Sequence, residues 1–190
     1  MKGDNDIKIF GAVSPAPSDS EAAATVLRQV EREKQNGNLG KARRLGARLA
    51  EDIAGIDRLT PAHGVAENAA LLTQRRILMA FAAEVGLDAF LPNNLVAQEA
   101  QNTLYNNLHL IAPAFYDELQ NSGAFSFYTL CLRDSRQAER QIAETFARLC
   151  GMAGSDSYAR MGAEAYTRFM AQIKQMADAM QFVKSEEEPA

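Results

Sequence analysis

The fold is decided by Ile77-Leu78-Met79-Ala80-Phe81-Ala82-Ala83, seven consecutive residues without a polar side chain. A helix that is apolar on all sides is stable only when neighbouring elements surround it. The apolar stretch ends at Val85, is interrupted by Glu84, and has about half the length that a membrane span needs. We therefore predict a buried helix at the centre of the fold. Thr60-Pro61 predicts its start and Gly86 predicts its end.

Two helices are predicted on the N-terminal side of this segment. Ser18 and Glu21 have the spacing of a capping box, which starts a helix. Asn36-Gly37 supplies the left-handed conformations that end it. A second helix follows and ends at Gly55, with one apolar face formed by Leu39, Ala42, Leu45, Leu49 and Ile53. Because the link is short, the two helices should form an antiparallel hairpin.

Four or five further helices are predicted on the C-terminal side. One follows the turn at Leu91-Pro92 and must kink or restart at Pro113, because proline disfavours helical geometry in the residue before it. Short helices should follow over 115–120 and 125–132, although Phe127-Tyr128-Thr129 would also suit a strand.

The last two helices complete this prediction. Asp134 or Ser135 should cap a helix that closes at Gly151. A long amphipathic helix should then run from Ser157 to Val183. The chain is thus predicted to be all-α, an irregular bundle of six to eight helices built from antiparallel helical hairpins. We predict one helical domain over residues 18–184, a disordered tail over 1–17 and an acidic tail over 185–190.

The segment 37–50 resembles the second helix of a tetratricopeptide repeat. In that family a small turn residue and two alanines allow close helix packing, and Gly37, Ala42 and Ala50 occupy those places here. The resemblance covers residues 22–55, a single unit, whereas a repeat array needs at least about three. It implies peptide or protein binding.

Composition excludes several classes of protein. Apolar residues make up 47% and charged residues 23% of the chain, as is typical of a globular domain. The net charge of -4 gives no basic excess for binding nucleic acid. The N-terminus lacks the apolar run of a secretory signal. Cys131 and Cys150 have no metal-like spacing, so we expect two reduced thiols and a cytoplasmic protein without a membrane partner.

No motif in the chain specifies a reaction. Gly40-Lys41 is followed by Ala42, so a phosphate-binding loop is not formed, and no HExxH segment is present. His63 and Glu67 have i, i+4 spacing, which an exposed hydrogen bond explains more simply than a metal. We therefore predict no catalytic residue, no metal and no cofactor.

An aromatic cluster is the predicted site for a small ligand. Five aromatic residues lie within 14 positions around the breaks at Pro113 and Gly123, and three polar residues are expected at their border. Apolar walls around a few polar groups are typical of ligand sites, but the same rings also suit core packing. The residues are Phe115, Tyr116, Phe125, Phe127 and Tyr128, with Tyr105, His109 and Arg133.

Two surfaces are candidates for protein contacts. The second helix carries a basic patch, which could bind an acidic partner or a nucleic-acid backbone, or could be a solvated helix face; it consists of Lys41, Arg43, Arg44 and Arg48. The last helix has an apolar surface wider than one stripe, which predicts self-association; it includes Met161, Tyr166, Met170, Ala177 and Met180.

These observations predict a non-enzymatic helical module for protein–protein interaction or an adaptor, with a protein partner or a second copy as its ligand. A helical domain that binds or senses a small molecule through the aromatic cluster is the alternative. Nucleic acid is not an expected partner.

Overall fold

The computed structural model describes residues 19–56, 69–134 and 136–184, with side chains from residue 23 onward. This part of the chain contains eight helices and no strand, which confirms the all-α bundle. The helices are α1 (Asp19–Gln35), α2 (Asn38–Ala54), α3 (Ala69–Phe90), α4 (Asn94–Ile111), α5 (Pro113–Asn121), α6 (Ala124–Cys131), α7 (Ala138–Leu149) and α8 (Asp156–Met180).

Helix α3 is the centre of the bundle, as predicted. Every residue from Ile77 to Ala83 is buried. Helices α2, α4, α6, α7 and α8 all contact α3, so its uniformly apolar surface is covered from several sides. Buried residues of α2 to α8 form one hydrophobic cluster around it.

The predicted end of α3 at Gly86 is wrong, because the helix continues to Phe90. Gly86 is buried inside the helix, where an added methyl group would lie 3.0 Å from Cδ1 of Ile173. Because glycine has no side chain, α8 can approach α3 at this position. Gly86 does not end the helix. The predicted start at Thr60-Pro61 lies outside the described residues.

The apolar face of α2 is buried as predicted, and it packs mainly against α4. The two helices approach closely at Gly46, where an added Cβ atom would overlap the carbonyl oxygen of Ala100 and lie 3.0 Å from the amide nitrogen of Leu104. The backbones of the two helices therefore touch. Helix α1 contacts α2, and its residues 23–29 are all exposed.

The middle of the chain breaks where the sequence indicates. Asn93 caps α4, since its Oδ1 accepts a hydrogen bond from the amide of Val96 at 3.1 Å. Ala112 leaves the helical conformation and Pro113 begins α5. Gly123, with φ of 64°, precedes α6, which is a helix and not a strand.

The prediction that Asp134 caps the next helix is wrong. Helix α7 begins at Ala138 after Gln137, and the carboxylate of Asp134 accepts the amide of Arg136 at 3.2 Å in the preceding turn. The carboxylate of Asp134 is thus hydrogen-bonded within the turn before α7, and it does not cap that helix. The alternative cap, Ser135, lies outside the described residues.

Helix α8 ends earlier than predicted, at Met180 and not at Val183. Gln181 adopts a left-handed conformation with φ of 52°, which stops the helix and turns residues 182–184 toward α2. The surface predicted for self-association is largely covered within the chain, mainly by α3 and α7. Of its residues, Met161, Tyr166 and Ala177 are buried, and Met170 and Met180 are half-buried.

The predicted tails, residues 1–17 and 185–190, lie outside the described residues. Within the described ranges, no helix has both the length and the apolar character needed to cross a bilayer.

Candidate interaction site

Residues 23–29 of α1 are all exposed. A helix that packs along a globular body hides one face, yet each of the residues 23–29 belongs to the exposed surface. Val26 is 56% exposed and Leu27 is 68% exposed. Two large apolar side chains are therefore presented to solvent on a regular helix.

These side chains belong to one face of α1. Ala23, Val26, Leu27 and Val30 lie at positions i, i+3, i+4 and i+7, which form a single stripe on a helix. Val30 is half-buried and packs against the core, so the stripe runs from the body out into solvent. We call these four residues the α1 face. Arg32 is exposed on the opposite side of the same helix.

Glu33 anchors the other end of α1. Its side chain is fully buried, and three asparagine side chains donate hydrogen bonds to it. Oε2 accepts Nδ2 of Asn38 at 2.6 Å and Nδ2 of Asn36 at 3.2 Å, and Oε1 accepts Nδ2 of Asn93 at 2.9 Å. These bonds fix the end of α1 to the start of α2 and to the cap of α4, because a buried carboxylate must keep its donors.

Asn38 also holds the C-terminal segment. Its Nδ2 donates to the carbonyl of Val183 at 2.8 Å, and its Oδ1 accepts the amide of Val183 at 2.9 Å. Lys41 Nζ donates to the carbonyl of Gln181 at 2.8 Å and lies 6.0 Å from the ring centroid of Phe182. One polar cluster therefore joins α1, α2, α4 and residues 181–183.

We expect Asn38→Ala to lower the free energy of unfolding by about 2 kcal/mol, because Glu33 loses the 2.6 Å hydrogen bond and Val183 loses both of its bonds. Urea titration measures this loss. Hydrogen exchange at the amide of Val183 should also become faster than in the wild type.

Asn107→Ala is the matched control, since Nδ2 of Asn107 donates to the carbonyl of Thr103 one turn earlier in α4. It should cost less than about 0.5 kcal/mol. Equal losses for the two variants would show that the polar cluster adds no stability of its own.

The sequence analysis missed this cluster and the exposure of the α1 face. One signal for the cluster is present in the sequence: Glu33 follows Val30 by three positions, which places a carboxylate on an apolar helix face. Asparagine also recurs at the two helix starts that meet there, at Asn38 and Asn93.

Most residues of the predicted basic patch on α2 form ion pairs or hydrogen bonds with other residues of the chain. Arg43 forms an ion pair with Glu99 of α4. Lys41 binds the C-terminal segment, as described above. Arg44 is exposed, and no partner for it is found within the described ranges. Partner binding by this patch stays a prediction. Arg44 is the residue of the patch that is least engaged in contacts with the rest of the chain.

The fourth basic residue, Arg48, lies at a groove of about 700 Å3 between α2, α3, α4 and α8. It contacts Glu51 and Asp52 of its own helix, each at 3.3 Å. Burial raises the pKa of Asp52, while Arg48 and a 2.8 Å hydrogen bond from Gln172 counteract the shift. The groove reaches Gly55, which follows the end of α2.

Part of the predicted aromatic cluster lies in the centre of the core. The ring of Phe81 stacks on Tyr128 at 5.2 Å between centroids and meets Phe125 edge-on at 5.7 Å. Tyr128 is fully buried, and its hydroxyl has no hydrogen-bond partner within the described ranges. Burial, with smaller contributions from Cys150 and Cys131, raises the pKa of this hydroxyl.

A second group of the predicted residues lies on α4 and α5. The hydroxyl of Tyr105 donates to Oε2 of Glu84 at 2.6 Å, and burial raises the pKa of Tyr105. The rings of His109 and Tyr116 meet edge-on at 5.0 Å between centroids. Phe115 is buried, with the guanidinium of an arginine of α3 lying 5.7 Å from its ring centroid.

The remaining two predicted residues are exposed. Phe127, with 52% of its surface exposed, lines a groove of about 240 Å3 between α6 and α7, and Arg133 lies beyond the end of α6. The eight residues thus occupy several places around the bundle. A common small-molecule pocket stays a prediction.

Neither the cysteines nor the histidines form a metal site within the described ranges, where no group of three or more candidate ligands occurs. Cys131 and Cys150 are not joined in a disulfide. Burial raises the pKa of Cys150 to about 11, so its thiol is protonated at neutral pH. His63 and Glu67 lie outside the described residues.

Comparison with known proteins finds no matching family model, no matching curated protein and no matching solved structure.

Proposed function

We propose that this protein is a non-enzymatic interaction module that binds a partner through the α1 face. The observation that carries the proposal is the exposure of Val26 and Leu27 on a helix whose residues 23–29 are all exposed. Covering these apolar side chains with another protein surface removes them from water, which makes a favourable contribution to the free energy of binding.

The spacing of the α1 face supports this function. Anchors at i, i+3, i+4 and i+7 are the pattern with which an amphipathic helix binds a partner groove or a partner helix. The Glu33 cluster supplies a fixed base for the helix, so less conformational entropy is lost on binding than with a disordered segment. Two exposed turns at the end of a helix are also marginally stable in water, and a partner would stabilise them.

The chemistry of the two thiols supports a cytoplasmic location for this module. Both cysteines are unpaired, and Cys150 is held protonated by burial. Reduced structural thiols are typical of cytoplasmic proteins.

The test uses the full chain as bait in extracts of its native cell. A double variant, Val26→Asp with Leu27→Asp, removes the α1 face. Arg32→Glu is the control, because it changes charge on the opposite side of the same helix. We expect a protein that the wild type and the control retain and that the double variant loses.

Circular dichroism should show equal helix content for all three baits, since the substituted side chains are exposed. Retention of the same proteins by the double variant would contradict the proposal, as would the absence of any retained protein.

A further inference from the structure

We infer that the C-terminal segment, residues 181–183, is a strap with two states, and that its docked state on α2 holds α1 in the position that binds a partner. This inference rests on the proposed function, because it names what regulates the α1 face. It is carried by one side chain, Asn38, which binds the C-terminal segment and the buried end of α1 at the same time.

The buried part of α1 lies near its C-terminal end. Among residues 23–35, Glu33 is the one that is buried and Val30 is half-buried, whereas the others are exposed. The contacts of α1 with other helices are mainly with α2. The position of α1 therefore depends on the hydrogen bonds that Glu33 receives, including the 2.6 Å bond from Nδ2 of Asn38.

The C-terminal segment orients the same amide group of Asn38. The side-chain oxygen accepts the amide of Val183 at 2.9 Å, and Nδ2 donates to the carbonyl of Val183 at 2.8 Å. These two bonds hold the plane of the amide group and leave the second hydrogen of Nδ2 for Glu33. When the C-terminal segment leaves α2, this amide group is able to rotate, and its bond to Glu33 weakens. Docking of the C-terminal segment is thus coupled to the order of α1.

The second state is a continuation of α8. Within the described ranges, Gln181 is the one residue other than glycine with a positive φ, at 52°. This left-handed conformation is unfavourable for a residue with a side chain, so the contacts with α2 must offset its cost. The spacing of Met176, Met180 and Val183 continues the apolar stripe of α8. A right-handed Gln181 would therefore extend the helix, and it would do so without exposing a buried side chain of Val183, which is already 47% exposed.

The docked state favours binding through the α1 face. A partner then meets a helix whose buried end is held in place, so less conformational entropy is lost on binding. Anything that draws the C-terminal segment into the helical state weakens the binding of that partner. By thermodynamic linkage, the bound partner stabilises the docked state by the same factor.

Hydrogen exchange of the full chain tests the coupling without a partner. Lys41→Met removes the 2.8 Å bond to the carbonyl of Gln181 and the charge near the ring of Phe182, and it alters no bond to Glu33. We expect exchange to become about tenfold faster at the amide of Val183 and at the amides of residues 30–35.

Arg44→Met is the matched control. Arg44 lies three positions further along α2, is exposed, and has no partner within the described ranges. Exchange in this variant should equal that of the wild type at both places.

Gln181→Gly tests the coupling in the opposite direction. Glycine adopts the left-handed conformation without the steric cost, so the docked state gains stability over the helical one. Exchange at the amide of Val183 and at residues 30–35 should become slower, by about threefold.

The outcomes separate this inference from the proposed function. If Lys41→Met speeds exchange at Val183 and leaves residues 30–35 unchanged, the C-terminal segment moves without affecting α1, and the inference is overturned. Unchanged exchange at both places overturns it as well. In either case the interaction module stands on its own bait experiment. If no protein is retained through the α1 face, the module and its regulation are refuted together.

Discussion

Gly46→Ala should lower the free energy of unfolding by about 3 kcal/mol or prevent folding. The added Cβ atom would overlap the carbonyl oxygen of Ala100 and lie 3.0 Å from the amide nitrogen of Leu104. Both obstacles are backbone atoms in the interior of α4, so they cannot move aside as a flexible side chain would. Helices α2 and α4 would have to separate along their contact. Urea titration with circular dichroism measures the loss.

Gly40→Ala is the matched control, because Gly40 lies on the same helix and an added Cβ atom there would meet only the end of Arg44, at 3.8 Å. Alanine is the better helix former by up to about 1 kcal/mol, so this variant should be slightly more stable than the wild type. If Gly46→Ala lowers the free energy of unfolding while Gly40→Ala raises it, the difference is due to the close packing at Gly46. A stabilised Gly46→Ala variant would mean that α2 and α4 do not touch at this point.

Helical periodicity predicts most of this fold, because each buried helix must show its apolar face in the sequence. The boundaries are predicted less well, since they depend on contacts distant along the chain. Gly86 remains inside α3 because Ile173 of α8 packs over it. Helix α8 stops before Val183 because Asn38 of α2 binds the backbone of that residue. No pattern local to Gly86 or Val183 contains this information.

The candidate site is also only partly predictable from the sequence. The sequence establishes that α1 has an apolar face, but whether another element covers that face is a property of the tertiary arrangement. The basic residues of α2 are likewise visible in the sequence, whereas the pairing of Arg43 with Glu99 depends on the packing of α2 against α4. The aromatic residues of α5 and α6 are near each other in sequence, yet Phe125 and Phe115 contact different neighbours.

Phe81→Ala should lower the free energy of unfolding by about 3 to 5 kcal/mol. The side chain is buried at the centre of α3, and its ring meets those of Phe125, Tyr128 and Tyr166 at centroid distances of 5.7, 5.2 and 6.5 Å. Truncation removes the transfer free energy of the ring and leaves a cavity, because three rigid rings on two other helices cannot all move inward. The ring pairs also contribute beyond their buried area.

Phe127→Ala is the control for this prediction, since it removes the same atoms from a side chain that is 52% exposed on α6. It should cost less than about 1 kcal/mol. Near-ultraviolet circular dichroism adds a second measurement: Phe81→Ala should change the signal of Tyr128, which loses its stacked neighbour, while Phe127→Ala should not. A loss under about 1 kcal/mol for Phe81→Ala would contradict the central position of α3, because a ring enclosed by three others cannot be removed without a cavity or a collapse.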